Sequence, residues 1–164
     1  MNKFARVSIA ASAMSAALLT VVGLAPTASA AGGHSLKNGI GYCLGSLNGA
    51  DRTVGYTWSC NGNRDQIWTF NPVGEDVRGN FYQIINGNGQ CLGVYGGSKS
   101  RGTNISVWDC NGNGDQKWYW KSGSGATIIN RNSNLCLAGD GGGKGANAIQ
   151  WGCNGNKDQK WWRV

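Results

Sequence analysis

The stretch Cys153-Asn154-Gly155-Asn156-Lys157-Asp158-Gln159-Lys160-Trp161 is written three times in this chain with small changes. The other copies read Cys60-Asn61-Gly62-Asn63-Arg64-Asp65-Gln66-Ile67-Trp68 and Cys110-Asn111-Gly112-Asn113-Gly114-Asp115-Gln116-Lys117-Trp118. Seven of the nine positions are identical in all copies, which begin 50 and then 43 residues apart. Self-similarity at such a period marks a repeat architecture, in which each unit is one supersecondary module that needs its neighbours to bury an apolar face. The chain is therefore read as three units, spanning about 35–75, 80–122 and 126–164.

The cysteines follow the repeat. Cys43 and Cys60 are 17 residues apart, Cys91 and Cys110 are 19 apart, and Cys136 and Cys153 are again 17 apart. Six cysteines allow many pairings, and the one that respects the repeat closes a bridge within each unit. Loops of this size contribute about 3 kcal/mol each in the chain-entropy description. Zinc is the rival reading. It fails for want of any Cys-x-x-Cys and because His34 is the only histidine.

An oxidising compartment is also what the N-terminus implies. Lys3 and Arg6 precede an apolar run from Val7 to Leu24, followed by Pro26 and Ala28-Ser29-Ala30. This order is that of a secretory signal peptide over residues 1–30, rather than of a membrane span. Cleavage after Ala30 leaves residues 31–164, or 134 residues, which is one domain. Loss of Lys3 and Arg6 lowers the formal charge from +7 to +5. The remaining cations are scattered singly, which favours solubility and then anionic glycans over nucleic acid.

Within the units the apolar pattern is that of short strands. Val54, Tyr56 and Trp58 alternate with Gly55 and Thr57, and Gln66 to Phe70 reads as another strand. Asn71 to Asn80, with Pro72 and Gly74, reads as a spacer, and Phe81 to Ile85 resumes the pattern. No mature stretch has helical periodicity. Four short strands per unit give about twelve, an all-β fold with tight glycine turns.

Three units with Cys-Leu early, Trp-x-Cys-Asn-Gly late and a closing Gln-x-Trp resemble the ricin B-type lectin family over roughly residues 35–164. The resemblance implies a β-trefoil, a six-stranded barrel capped by three hairpins with threefold pseudosymmetry. It also implies one potential sugar site per unit, up to three weak sites in all, and no catalytic activity.

Two sets of tryptophans then separate. Trp68, Trp118 and Trp161, with Gln66, Gln116 and Gln159, are expected to hold the fold, the indoles in a shared core and the glutamines on backbone groups of the preceding turns. Trp58, Trp108 and Trp151 stand two residues before a second cysteine, where they either pack on the disulfide or stack on a sugar ring. In the family an aromatic here is the stacking residue. The family's sugar-binding aspartate, two residues after the first cysteine, is replaced by Gly45, Gly93 and Ala138. The glutamine often found four residues before the second cysteine is replaced by Tyr56, Ser106 and Ile149, and the asparagine before the Gln-x-Trp glutamine by Asp65, Asp115 and Asp158. Galactose-type recognition therefore does not transfer intact. Asp140, and less directly Asp51, are candidate replacements, Asp65, Asp115 and Asp158 are candidate acceptors from the other wall, and the third unit, with Asp140, Trp151 and Asp158, is the best single site.

The remaining motifs carry less. The Asn61-x-Asn63-x-Asp65 spacing has the alternation of a calcium loop but one carboxylate, and is read as turn chemistry. Asn104-Ile105-Ser106 matches a glycosylation acceptor on an expected strand. His34 and the adjacent Glu75-Asp76 make no catalytic constellation, and Glu75-Asp76 is expected to face solvent. The sequence stops two residues past Trp162, so no appended enzyme is expected. The expectation is a secreted, monomeric, non-catalytic protein that binds a glycan or polysaccharide, with no cofactor, metal, nucleic acid or membrane span. A degenerate trefoil that binds or inhibits a protein is the alternative, and an extracellular hydrolase a remote third.

Overall fold

A computed structural model describes residues 32–47 and 52–164. The expected leader and Asp51 lie outside the described residues. The strands are β1 (His34–Asn38), β2 (Cys43–Ser46), β3 (Thr53–Trp58), β4 (Ile67–Asp76), β5 (Gly79–Asn86) and β6 (Cys91–Val94). They continue with β7 (Ile105–Trp108), β8 (Trp118–Lys121), β9 (Thr127–Asn130), β10 (Cys136–Gly139), β11 (Ala148–Trp151) and β12 (Trp161–Arg163). No helix among the described residues is long and apolar enough to cross a membrane.

Six of the strands close into a ring. β1 pairs with β4, β4 with β5, β5 with β8 and β8 with β9. A bridge from Ala126 to Trp161 carries the ring from the start of β9 to β12, which pairs back to β1. The hairpins β2–β3, β6–β7 and β10–β11 cap one end of it. They meet through Val54 against Ser106, Asn104 against Ile149 and Tyr56 against Asn147. This is a β-trefoil, closed so that its barrel leaves no edge strand to pair with another chain. Cys43–Cys60, Cys91–Cys110 and Cys136–Cys153 are disulfides, with Cα–Cα distances of 5.0, 5.0 and 5.1 Å.

The core repeats by unit. Leu36, Ile84 and Ile128 form one equivalent set, Leu44, Leu92 and Leu137 a second, and Trp68, Trp118 and Trp161 a third, all fully buried. A buried indole must place its N–H. Trp68 Nε1 donates to the Leu44 carbonyl at 2.9 Å, Trp118 Nε1 to Leu92 at 2.8 Å and Trp161 Nε1 to Leu137 at 3.0 Å. Each bond ties the barrel to the cap of its own unit.

The partner glutamines are buried and doubly bonded. Asn61 N–H donates to Gln66 Oε1 at 3.0 Å and Gln66 Nε2 to the Ser59 carbonyl at 3.2 Å. Gln116 does the same with Asn111 and Asp109 at 2.8 and 3.0 Å, and Gln159 with Asn154 and Gly152 at 3.0 and 2.9 Å. One expectation is corrected here. The glutamines close 3₁₀ turns at Arg64–Gln66, Gly114–Gln116 and Lys157–Gln159, and do not open the strands. The reason is local: the N–H groups of Gln66, Gln116 and Gln159 already bond back to Asn63, Asn113 and Asn156. In the same turns Asn61, Asn111 and Asn154 accept the N–H two residues on, each at 2.9 Å, so their oxygens serve the backbone.

The expected spacer is also corrected. β4 runs to Asp76 and β5 begins at Gly79, so residues 71–80 form the end of a long hairpin. Pro72 cannot donate to a ladder, and the register slips between Pro72 and Gly74. Gly74 (φ +153°) lies on the Phe81 ring, where a Cβ would come within 2.5 Å of Cζ. The bulge absorbs both features. Asp76 is not a simple solvent residue: Tyr119 Oη donates to Asp76 Oδ2 at 2.5 Å and Arg131 Nε lies 3.4 Å away. The Tyr119 hydroxyl, then the Arg78 N–H, hold the Asp76 carboxyl below the usual carboxylate range.

Removing the clamp separately from the indole tests this description. Gln116→Ala leaves the Asn111 N–H and Asp109 carbonyl unpaired and is expected to cost about 2–4 kcal/mol. Trp118→Ala adds a cavity and is expected to cost about 3–5 kcal/mol, both by urea unfolding. A Gln116→Ala variant as stable as the parent contradicts the clamp.

Candidate functional site

Cross-strand register decides what lines each cap hairpin. Cys43 faces Trp58 and Gly45 faces Tyr56; Cys91 faces Trp108 and Gly93 faces Ser106; Cys136 faces Trp151 and Ala138 faces Ile149. Residues opposite one another share a face. The substituted aspartate and glutamine positions are thus direct neighbours, beside the rim tryptophan and its disulfide. The 3₁₀ turn supplies the opposite wall, with Asp65, Asp115 or Asp158.

The three units fill this frame differently. In the first, Tyr56 lies against Gly45, its Cζ 3.1 Å from where a Cβ would stand, and donates to Asp65 Oδ2 at 3.0 Å. Tyr56 also meets Trp58 edge to face at 6.2 Å. Burial, then the Asp65 hydrogen bond, push the Tyr56 phenol up to about 12. The tyrosine fills the space beside Gly45 and occupies the Asp65 carboxylate.

In the second unit the indole of Trp108 lies over Gly93: a Cβ there would meet Trp108 Cη2 at 2.4 Å and Gln116 Cγ at 2.9 Å. An aspartate at 93 is sterically incompatible with this arrangement. Beside it opens a cleft of ≈ 470 Å³ lined by Trp108, Tyr95, Arg52, Asn111, Asn113 and Asp115. Tyr95, 59% exposed, is a second aromatic wall that the sequence reading passed over. It stands four residues after Cys91, as Asp140 does after Cys136. A carboxylate at that offset signals a hydroxyl acceptor, whereas a lone aromatic there has no counterpart in the other units to mark it. Burial raises the Asp115 carboxyl above its usual value, partly offset by its own N–H.

In the third unit Ala138 and Ile149 make an apolar floor. A cleft of ≈ 380 Å³ above it brings together Asp140, Trp151, Asn154, Asn156 and Asp158. Burial raises Asp158 as it does Asp115. Trp58 and Trp151 are 41% and 42% exposed. The acceptor Asn104-Ile105-Ser106 is placed in the cap, with Ile105 and Ser106 fully buried. His34 pairs with Trp68 in the barrel, remote in register from the cap hairpins.

Two titrations follow. The tyrosine absorbance of the parent should include a group ionising near 12, which Asp65→Asn moves part of the way toward 10 because desolvation remains. Since the folded value is the higher one, this group's stabilisation is complete below pH 10 and is lost between about 10 and 12. A Tyr56 titration untouched by Asp65→Asn rules out the contact. Asp115→Asn relieves a desolvated carboxylate and is expected to raise the denaturation midpoint at pH 7, where a lowered midpoint would contradict its strained ionised state.

The Ricin-type beta-trefoil lectin domain family matches residues 33–161. No sequence match is found among curated proteins. Among solved structures, the designed threefold symmetric protein ThreeFoil is 25% identical with a TM-score of 0.73, over 80% of this chain and 96% of its own. The exo-beta-1,3-galactanase 1,3Gal43A from Clostridium thermocellum is 26% identical with a TM-score of 0.74, over 82% of this chain but 30% of its own, so the chain spans under a third of that enzyme. The Rhizoctonia solani agglutinin, 20% identical with a TM-score of 0.68 over 85% and 99% of the two chains, shares the fold. With its closed barrel, capping hairpins and repeated Gln-x-Trp clamps, the chain belongs to the ricin-type β-trefoil lectin family.

Proposed function

We propose that this protein is an extracellular, non-catalytic glycan-binding domain, acting as a monomer through the clefts of its second and third units. The observation that carries the reading is the pairing of a rim tryptophan with a desolvated aspartate in each cleft, the half-buried Trp108 with Asp115 and the exposed Trp151 with Asp158. An indole face takes the apolar face of a sugar ring, and a carboxylate on the opposite wall accepts its hydroxyls. Tyr95 gives the second cleft a further stacking wall, and Asp140 gives the third a further acceptor. The first unit contributes little, because Tyr56 already occupies Asp65. Two shallow sites on one rigid body gain on a polymer through effective concentration. The six cysteines, all bridged, suit secretion.

Trp108→Ala and Trp151→Ala are expected to weaken binding to a bound polysaccharide about tenfold each, with the denaturation midpoint little changed. Trp58→Ala should leave binding near that of the parent. Parent-like binding by the Trp108→Ala, Trp151→Ala double variant defeats the proposal.

The alternative, a protein partner, is favoured by one feature away from the caps. Ile40, Trp162 and Val164 are exposed around a cleft of ≈ 420 Å³ between β1 and the end of β12. Trp162→Ser separates the readings: it abolishes binding only if this seam is the interface.

A further inference from the structure

Each cap hairpin is fastened by the loop of a neighbouring unit, always at the residue before the rim tryptophan. Gly145 N–H donates to the Thr57 carbonyl at 2.6 Å, Arg52 N–H to Val107 at 2.7 Å and Gly102 N–H to Gln150 at 2.8 Å. The donors have φ of +82°, 61° and +79° respectively. Two are glycines, which adopt this region freely; the third is an arginine, which does so under strain.

The same loops deliver a cation to each rim. Lys144, before Gly145, places Nζ 4.5 Å from the Trp58 ring centre. Arg101, before Gly102, lays its guanidinium on Gly152, the residue after Trp151, with Cζ 3.2 Å from a Cβ position there. Gly102 itself would bring a Cβ within 3.6 Å of the Trp151 ring. Arg52 lines the cleft that holds Trp108. One cation per rim, always from the adjacent unit, is a threefold arrangement.

We propose that these clefts are completed across the unit boundary and take an acidic polysaccharide, one whose sugars bear carboxylate or sulfate groups. This deepens the glycan-binding reading and rests on it. A ring stacked on Trp108 or Trp151 turns hydroxyls toward Asp115 or toward Asp140 and Asp158, whose charge repels the acidic group. That group is directed to the opposite edge, where Arg52 or Arg101 meets it. The family aspartate is absent at 45, 93 and 138, and the polarity of recognition is shifted from acceptors on the floor to donors on the rim.

The test measures binding of the full mature chain to polygalacturonate, its methyl ester, dextran sulfate and a neutral galactan. The variants are Arg52→Gly with Arg101→Ala and Lys144→Ala, and a control of equal charge, Lys37→Ala with Lys117→Ala and Lys160→Ala. Parent binding to polygalacturonate or dextran sulfate should exceed that to the neutral polymers about tenfold, the rim variant should lose that excess, and the control should keep it. Whichever acidic polymer shows the excess names the anionic group. A denaturation midpoint of the rim triple variant close to that of the control triple variant shows that its loss of binding is not unfolding. Equal losses in both triple variants mean general charge attraction and overturn the inference. Equal binding of acid and ester also overturns it, while leaving the neutral glycan reading intact. Silence toward all four polymers overturns both.

Discussion

The structure depends on a buried indole N–H that has one place to go. Trp68, Trp118 and Trp161 are withdrawn from water, and each donates to the carbonyl of a leucine on the first strand of its own cap hairpin. The neighbouring glutamine, equally buried, holds the loop that leads back from the hairpin. A barrel and a cap are thereby joined by bonds that water cannot replace, once in every unit. The disulfide closes the same segment covalently, and the three units share one core because none can bury its indole alone.

That division of labour leaves the outer face of each hairpin free to change. Positions 45, 93 and 138 face positions 56, 106 and 149 across the strands and take no part in the core bonds. Tyr56 has closed one cleft by reaching Asp65, Trp108 has folded over Gly93 in the second, and Ala138 with Ile149 has made the third apolar. Three copies of one frame now present three different surfaces. The desolvation of Asp115 and Asp158 is the cost carried at the two clefts that remain open.

The frame was legible in the sequence because its residues recur. Cys-Asn-Gly-Asn, Gln-x-Trp and the 17- and 19-residue cysteine spacings marked the repeat, the bridges and the two classes of tryptophan. The features that escaped are those that do not recur. The long β4–β5 hairpin occurs once, where the first unit passes into the second, and its Pro72 and Gly74 read as breakers because a bulge leaves no periodic trace. Tyr95 joins the cleft of Trp108 only because the turn Tyr95–Gly97 beyond β6 places it there. The cations at 52, 101 and 144 stand eight, nine and nine residues before the second cysteine, and nothing in that offset says that they serve a different unit. Contacts between units are set by the closing of the threefold, which spacing within a unit does not report.

The central claim is that the two sets of tryptophans have separate tasks, one holding the frame and one meeting the ligand. Indole N–H resonances of the ¹⁵N-labelled protein, followed during titration with an acidic oligosaccharide and then in deuterated water, test it directly. The account predicts shifts at Trp108 and Trp151, with Trp68, Trp118 and Trp161 unmoved and slowest to exchange. Shifts confined to Trp162, or fast exchange at the three core indoles, would contradict it.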